Sequence, residues 1–255
     1  MELKGIEQLR ARAPDLNTTG GVIRMVLYSL AWIILFTLYF IFTDPIPTWS
    51  IDSQIVVIML GFVWLSLFIS RKNVYKQKYG NLAYRNACAH FAIPGLMIVF
   101  SAAAHTAYMN GPSIPHGWWT DIITPLGWLM ILIGAGLAIR GVLAFGVDNI
   151  TMLYVYFPED GRIVDSNIYS VLRHPVYAGV LRVVIGLGLL NGNANALAFI
   201  ILLPLLVFSW LRLVEEKELI ERFGQSYLDY RARVPAFWPR LRDLPSFFRF
   251  LFTGK

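Results

Sequence analysis

The chain has 255 residues, of which 56% are hydrophobic and only 15% are charged. Because soluble domains are on average about 25% charged, this composition excludes a soluble globular protein and indicates an integral membrane protein. The net charge of +6 comes from Lys and Arg beside apolar stretches, which points to orientation in a membrane rather than to binding of nucleic acid.

The apolar stretches predict the elements of the fold. A helix needs roughly 20 mostly apolar residues to cross a bilayer. Stretches of about this length lie at 22–43, 53–70, 90–109, 122–146, 175–191 and 195–213. The fifth is short, and we expect it to tilt or to stop part-way. The sequence therefore predicts an all-α, polytopic protein with five or six transmembrane helices, the first of them too long for a cleaved signal peptide.

Basic residues are distributed unevenly among the connections. They precede the first span, occur in 71–86 and continue throughout 212–255, whereas 44–52, 110–121 and 191–194 contain none. By the positive-inside rule the N and C termini, the 71–86 loop and the segment before the fifth span face the cytosol. We expect a bacterial inner membrane or an endoplasmic reticulum membrane.

The longest polar interruption runs from 146 to 170. It holds two short apolar runs, rich in β-branched and aromatic residues, on either side of a turn at Pro158. This pattern predicts a small hairpin-like lid. After the lid come "RHPVYAG" (173–179) and a pair of spans joined by "NGNAN" (191–195), whose Gly and Asn residues suit a tight reversal.

Two short polar motifs flank this pair of spans. Pro175 suits the first turn of a helix, and it follows Arg173 and His174; Glu215 and Glu216 lie just after the last span. Each motif alone has an ordinary explanation, as interfacial residues on the positive side or as solvated carboxylates. Neither motif alone indicates chemistry.

The order of the motifs is more informative. An RHPxYxG opening, a helical hairpin, an EE pair and then "FGQSYLDYRARVPAFWP" (223–239) resemble the isoprenylcysteine carboxyl methyltransferase family and the related phospholipid methyltransferases. This resemblance implies an S-adenosylmethionine-dependent methyltransferase whose acceptor is an isoprenylcysteine-like carboxylate or a phospholipid amine. We treat 1–255 as a single membrane domain, with N-terminal spans in 1–120 and a catalytic core in 121–241.

The resemblance also implies the cofactor site, because the His-Pro and Glu-Glu elements bind the cofactor in the family. The residues carried over are His174, Pro175, Tyr177, Gly179, Glu215 and Glu216. The positive start of a helix, with Arg173 beside it, suits the cofactor's carboxylate. Gly134 and Gly136 in "GAG" would let the cofactor approach the backbone, although close helix packing explains them equally well.

Arginines are the candidate acceptor ligands. Arg182 lies within the fifth span, where a charged side chain is a functional hypothesis by default, although it can also snorkel to the interface. Arg140, Arg182 and Arg231, and also Arg233, could hold a carboxylate or phosphate. We expect catalytic roles for Arg173, Glu216 and Arg182. Tyr227 and Tyr230 are expected to pack the tail helix over the cofactor.

Other functions remain open. One alternative is an NADPH-dependent enzyme similar to sterol reductases; another is a non-enzymatic transporter or scaffold. The EE pair favours methyl transfer. The sequence shows no clear inverted repeat, which argues against a transporter. We expect a lipophilic or lipid substrate and membrane lipids as partners, with no nucleic acid. We expect no metal, since His90, His105 and His116 lack ligand spacing.

Overall fold

The computed structural model describes residues 3–254, and most of them are helical. The α-helices of the first half are α1 (Ile6–Arg12), α2 (Thr19–Thr43), α3 (Pro47–Ser70), α4 (Lys72–Tyr79), α5 (Ala83–Ala87) and α6 (Ile93–His105). Those of the second half are α7 (Thr120–Phe145), α8 (Val147–Ile150), α9 (Leu153–Tyr156), α10 (Pro175–Asn191), α11 (Ala194–Trp210), α12 (Glu216–Phe223), α13 (Gln225–Arg233) and α14 (Leu244–Thr253).

Five helical stretches are long and apolar enough to cross a membrane. They are Thr19–Thr43, Thr48–Ser70, Lys72–His105, Thr120–Phe145 and Ala194–Phe223. Within residues 3–254, backbone pairing of the strand type is limited to one isolated bridge. The prediction of an all-α, polytopic membrane protein is confirmed, and four of the five stretches run several residues beyond their predicted ends at one end or both.

The sixth apolar helix, α10, is shorter than the others. Its 17 residues rise about 25 Å at 1.5 Å per residue, less than the roughly 30 Å of a hydrocarbon core. Pro175 lies in the first turn of α10. The C-cap of the helix is Gly192, whose φ of 70° is a left-handed conformation that favours glycine. The next residue, Asn193, caps α11 by accepting a hydrogen bond from the Ala196 amide at 2.8 Å. The reversal predicted at 191–195 is therefore present.

Helices α7 and α10 pack against each other more extensively than any other pair in the described chain, and glycines line both surfaces. A Cβ atom on Gly134 would lie 2.6 Å from the carbonyl oxygen of Gly179, and one on Gly186 would lie 2.5 Å from that of Gly127. Facing glycines seven residues apart let two antiparallel backbones approach closely, as in membrane helix pairs. This contact fixes the position at which α10 starts.

The segment 146–174 is not the hairpin that its composition predicted. It forms the short helices α8 and α9 and two 3₁₀ turns. The four residues Leu153–Tyr156 are all buried, against Phe68 and Tyr84 among others. A half-exposed hairpin strand would bury alternate residues. The segment instead covers the ends of α3 and α5, where burying consecutive side chains favours a helical turn.

The C-terminal tail returns to the membrane face. On α14, Phe247 and Phe250 are buried, whereas Phe248 and Phe252 are exposed. Arg140 of α7 donates hydrogen bonds to the carbonyl oxygens of Phe250 at 3.3 Å and Phe252 at 3.0 Å. These carbonyls lie in the last turn of α14, where that of Phe250 also accepts from the Gly254 amide at 2.8 Å, so Arg140 anchors the tail.

The glycine contact predicts a specific sensitivity. Gly186→Ala places a methyl group against the backbone of α7, and we expect a loss of about 1–3 kcal/mol of stability because the helices must separate. The measurement is thermal unfolding of the detergent-purified protein. Gly20→Ala, where a Cβ meets nothing within 4 Å, is the matched control and should be neutral. Equal stability of Gly186→Ala and wild type would contradict the close contact.

Candidate active site

The two polar motifs meet around one imidazole. His174 precedes the first turn of α10, and its Nε2 lies 3.1 Å from Oε1 of Glu216 while its Nδ1 lies 3.5 Å from Oε1 of Glu215. Tyr177, one turn further on, donates a hydrogen bond to the other oxygen of Glu215. Burial disfavours the charged imidazole, but the hydrogen bonds and charges of Glu215 and Glu216 outweigh it and raise the pKa of His174.

Arg173 completes the cluster from the other side of Glu216. Its Nη2 and Nε donate to Oε1 of Glu216 at 2.8 and 3.2 Å, and its Nη1 donates to the carbonyl oxygens of Arg231 and Val234. The side chain of Arg231 lies 3.6 Å from Oε2 of Glu216. Arg173 therefore joins the start of α10 to α12 and to the end of α13.

A wide helical turn brings both glutamates to the same imidazole. Residues Leu211–Glu215 form one turn of π-helix between α11 and α12. Such a turn accommodates an extra residue and is frequent at functional sites. Consecutive residues of a regular helix point about 100° apart, so the widened turn helps to aim Glu215 and Glu216 at His174.

The extended chain after α13 closes the site from outside. The amides of Arg173 and His174 donate to the carbonyl oxygens of Pro235 at 2.9 Å and Ala236 at 3.2 Å. Arg182, which is buried, donates to the carbonyl oxygen of Phe237 at 3.1 Å and lies 4.2 Å from the ring centroid of Trp238. The tail is thus held across the start of α10.

A cavity of about 530 Å³ begins at this cluster and runs between the membrane helices. Its polar end is formed by His174, Tyr177 and Glu215, and its walls are apolar side chains of α3, α6, α7, α10 and α11. Two of its lining residues, Phe100 of α6 and Ile139 of α7, are exposed on the outer surface. The cavity therefore extends from buried charges toward the outer surface of α6 and α7.

Tyrosines of the tail form one wall of this cavity. Tyr227 and Tyr230 are buried on α13, with ring centroids 6.0 Å apart, and Tyr230 donates to the carbonyl oxygen of Tyr169 at 2.6 Å. Burial raises the pKa of both phenols, so each keeps its proton at neutral pH. They pack the tail helix down as the sequence analysis expects.

Several residues predicted to bind ligands make contacts within the protein. Gly134 and Gly179 face each other in the α7–α10 contact, and Gly136 faces Leu251 of α14. Arg140 anchors α14, and Arg182 donates to the carbonyl oxygens of Ala178 and Phe237. The structure thus brings together Arg173, His174, Tyr177, Glu215, Glu216 and Arg231, and places the glycines, Arg140 and Arg182 around them as supports.

The structure also adds a charge pair that the sequence analysis did not consider. Glu218 and Arg222, one turn apart on α12, pair at 3.0 Å, and both line the cavity. Lys72 of α4 lies 3.9 Å from Glu218. The i,i+4 spacing of Glu218 and Arg222 is the sequence signal for this contact. The same spacing is typical of solvated surface pairs, so on a helix after the last span it does not indicate a buried contact.

No metal centre is apparent in the described part of the chain. Among residues 3–254, no group of three or more His, Cys, Asp or Glu side chains is placed to hold a metal ion. His105 contacts Gln54 and Asp44 through its two ring nitrogens, at 2.8 and 2.9 Å.

Comparison with known proteins supplies the class of the enzyme. The family described as phospholipid methyltransferase matches residues 122–226. Protein-S-isoprenylcysteine O-methyltransferase of Saccharomyces cerevisiae is 31% identical over 180 residues, which cover 70% of this chain and 75% of the relative. The chain belongs to the isoprenylcysteine and phospholipid methyltransferase family. It is a membrane methyltransferase, as its motifs indicated.

Other relatives of this methyltransferase differ in the acceptors for which they are named. Protein-S-isoprenylcysteine O-methyltransferase B of Arabidopsis thaliana is 27% identical over 148 residues, 58% of this chain and 72% of the relative. Methanethiol S-methyltransferase of Pseudomonas deceptionensis is 31% identical over 122 residues, 48% of this chain and 45% of the relative. No solved structure matches the chain.

The imidazole between two carboxylates predicts a pH-dependent stability. Because folding raises the pKa of His174 above its ordinary 6.5, the stabilisation from its charged form is complete below that value. It is lost as the pH rises through the folded-state pKa. We expect the thermal unfolding temperature of wild type to fall over this interval, measured from about pH 6 to about pH 9.

The matched variants for this measurement are His174→Gln and His116→Gln. The first removes the buried imidazole and should abolish this part of the pH dependence. The second removes an exposed histidine and should leave it unchanged. A His174→Gln profile parallel to that of wild type would show that His174 is not charged in the folded protein.

Proposed function

We propose that the protein transfers a methyl group from S-adenosylmethionine to a lipophilic acceptor at the cytosolic face of its membrane. The acceptor class is an isoprenylcysteine-like carboxylate or a phospholipid amine, and the catalytic core is 121–241. The observation that carries this proposal is the cavity, which extends from the charged cluster around His174 toward the outer surface of α6 and α7. Such a cavity would let a water-soluble donor meet a membrane-soluble acceptor.

The polar end of the cavity has the chemistry that the methyl donor requires. When bound, S-adenosylmethionine supplies a methyl group on a positively charged sulfonium. The carboxylate of Glu215 lines the cavity and suits a sulfonium, an amine or ribose hydroxyls. His174 and Tyr177 hold that carboxylate in place, and the start of α10 offers its positive end to the donor's carboxylate.

The apolar part of the cavity suits a hydrocarbon chain. α6 packs mainly on α2 and α3, whereas α7 packs mainly on α10. Side chains of both helices line the cavity, among them Val99 and Phe100 of α6 and Ile139 and Val142 of α7. An acceptor dissolved in the bilayer would enter between α6 and α7 and leave its chain among these side chains, which are as apolar as the lipid it leaves.

Methyl transfer from a sulfonium is an in-line displacement, and the protein's task is to align the reactants and to exclude water. The tail residues Pro235–Phe237, held by the backbone of Arg173 and His174 and by Arg182, cover the polar end. A carboxylate acceptor needs no base. An amine or thiol acceptor must lose a proton, and Glu215, which lines the cavity, would accept it.

The distribution of basic residues supports an orientation in which both termini and the site face the cytosol. The ends of α3 and α7 and the starts of α2 and α10 lie on the side of the basic segments, and that side carries the charged cluster. The opposite connections, such as 110–119, contain no Lys or Arg. The N and C termini and the site would then face the cytosol, where the methyl donor is available.

Binding of S-adenosylhomocysteine tests the proposal without knowledge of the acceptor. We expect calorimetry of the purified protein to show saturable binding of S-adenosylhomocysteine and none of NADPH. His174→Ala and Glu216→Ala should each lower the affinity about tenfold or more, because each removes a buried, charge-assisted contact. Glu221→Ala, on the exposed side of α12, is the matched control. Binding of NADPH alone, or unchanged affinity in both variants, would contradict the proposal.

A further inference from the structure

Helix α14 lies against the side of a membrane span. Leu251 of α14 faces Gly136 of α7, and Arg140 of α7 donates to the carbonyl oxygens of Phe250 and Phe252. Gly136 and Arg140 precede the end of α7 by about 14 and about 8 Å along the helix, at 1.5 Å per residue. These distances place α14 where the headgroups of a bilayer meet its acyl chains.

The outer face of α14 is both apolar and basic. Phe248 and Phe252 are 41% and 75% exposed, and their rings stack with centroids 6.4 Å apart. Arg249 is exposed beside them, whereas Phe247 and Phe250 on the inner face are buried. Two adjacent rings are unfavourable in water but suit acyl chains, and an arginine beside them can extend to the headgroups.

The segment before α14 adds two more cations. Arg240 and Arg242 are exposed on either side of Leu241, which is 86% exposed. Arg242 lies 3.8 Å from a carboxylate oxygen of Asp243. Within residues 3–254, no carboxylate lies within ion-pair distance of Arg240 or Arg249. This surface therefore carries three outward arginines and one carboxylate.

The same segment continues from the part of the tail that covers the polar end of the cavity. Ala236 accepts a hydrogen bond from the His174 amide at 3.2 Å, and the ring of Trp238 lies 4.2 Å from the guanidinium of Arg182. Arg240 follows two residues later. A contact that fixes α14 would therefore also restrain the tail over the candidate site.

We propose that Arg240, Arg242 and Arg249 bind the headgroups of anionic phospholipids in the adjacent leaflet, and that this contact holds the tail over the candidate site. An arginine beside an anionic leaflet is attracted to it over a range of about one Debye length. A soluble anion would account for the charges but not for the exposed rings or for the depth of α14. The lipid contact is independent of the proposed methyl transfer, and its effect on the site rests on that function.

Hydrogen exchange of the tail in nanodiscs tests the lipid contact. Wild type is placed, one copy per disc, in phosphatidylcholine alone or in an equal mixture of phosphatidylcholine and phosphatidylglycerol. Mass spectrometry follows the amides of 236–253, whose exchange reports local opening. We expect exchange to be about fivefold slower or more in the anionic discs, the factor that corresponds to about 1 kcal/mol for one arginine. Inorganic phosphate added to the phosphatidylcholine discs should not slow it.

Two triple variants separate this surface from net charge. The test variant replaces the outward arginines of the tail: Arg240→Gln, Arg242→Gln and Arg249→Gln. The matched control replaces three exposed cations of other helices: Lys76→Gln, Lys78→Gln and Lys217→Gln. All six side chains are exposed, so both variants should fold. We expect the test variant to exchange equally fast in both kinds of disc and the control to keep the slower exchange in the anionic discs.

Binding of S-adenosylhomocysteine in the same discs tests the effect on the site. We expect wild type to bind it about twofold to fivefold more tightly in the anionic discs, because a larger fraction of the protein then has its tail in place. The test variant should bind it equally in both kinds of disc. Equal affinity of wild type in both would contradict the effect on the site.

Three results would overturn the lipid contact: equal exchange of wild type in both kinds of disc, slower exchange that the test variant retains or the control loses, or equal protection by inorganic phosphate. Protection that appears only in discs holding two copies would assign this face to a second copy of the chain and would also overturn it. If wild type binds no S-adenosylhomocysteine in either disc, the proposed methyl transfer fails, while the exchange result still decides the lipid contact.

Discussion

The site depends on the charged contact between His174 and the two glutamates at the junction of the π turn and α12. Burying several charges is unfavourable unless each is paired and hydrogen-bonded. Here Arg173, His174 and Arg231 surround Glu216, while His174 and Tyr177 hold Glu215. Removing one partner would leave a buried charge with fewer compensating contacts, so the cluster holds the start of α10, the start of α12 and the tail in one arrangement.

The helices provide the frame that this cluster needs. The glycine surfaces of α7 and α10 fix where α10 begins, and the π turn at Leu211–Glu215 aims two neighbouring carboxylates at the same side chain. Arg140 and Arg182 then tie the tail to the membrane helices. Arg182 contributes to this frame by donating to the carbonyl oxygen of Phe237 in the tail that covers the site.

The sequence predicted the spans and the main cluster because both signals are local. Apolar length defines a membrane helix, and the motifs around His174 and Glu216 lie at helix ends whose pairing follows from the short α10–α11 reversal. The sequence could not predict contacts between residues that are far apart in the chain. Nothing in the sequence shows that Arg182 meets the carbonyl oxygen of Phe237, or that Arg222 faces a cavity. The short runs in 146–170 misled because β-branched composition cannot distinguish a strand from a helical turn whose residues are all buried.

An experimental structure of the protein with bound S-adenosylhomocysteine tests the central claim most directly. The account predicts that the ligand lies at the polar end of the cavity, with its polar groups in contact with His174 and Glu215 and its sulfur directed toward the apolar channel between α6 and α7. A ligand bound elsewhere, for instance against the glycines of α7 on the α14 side, would contradict it.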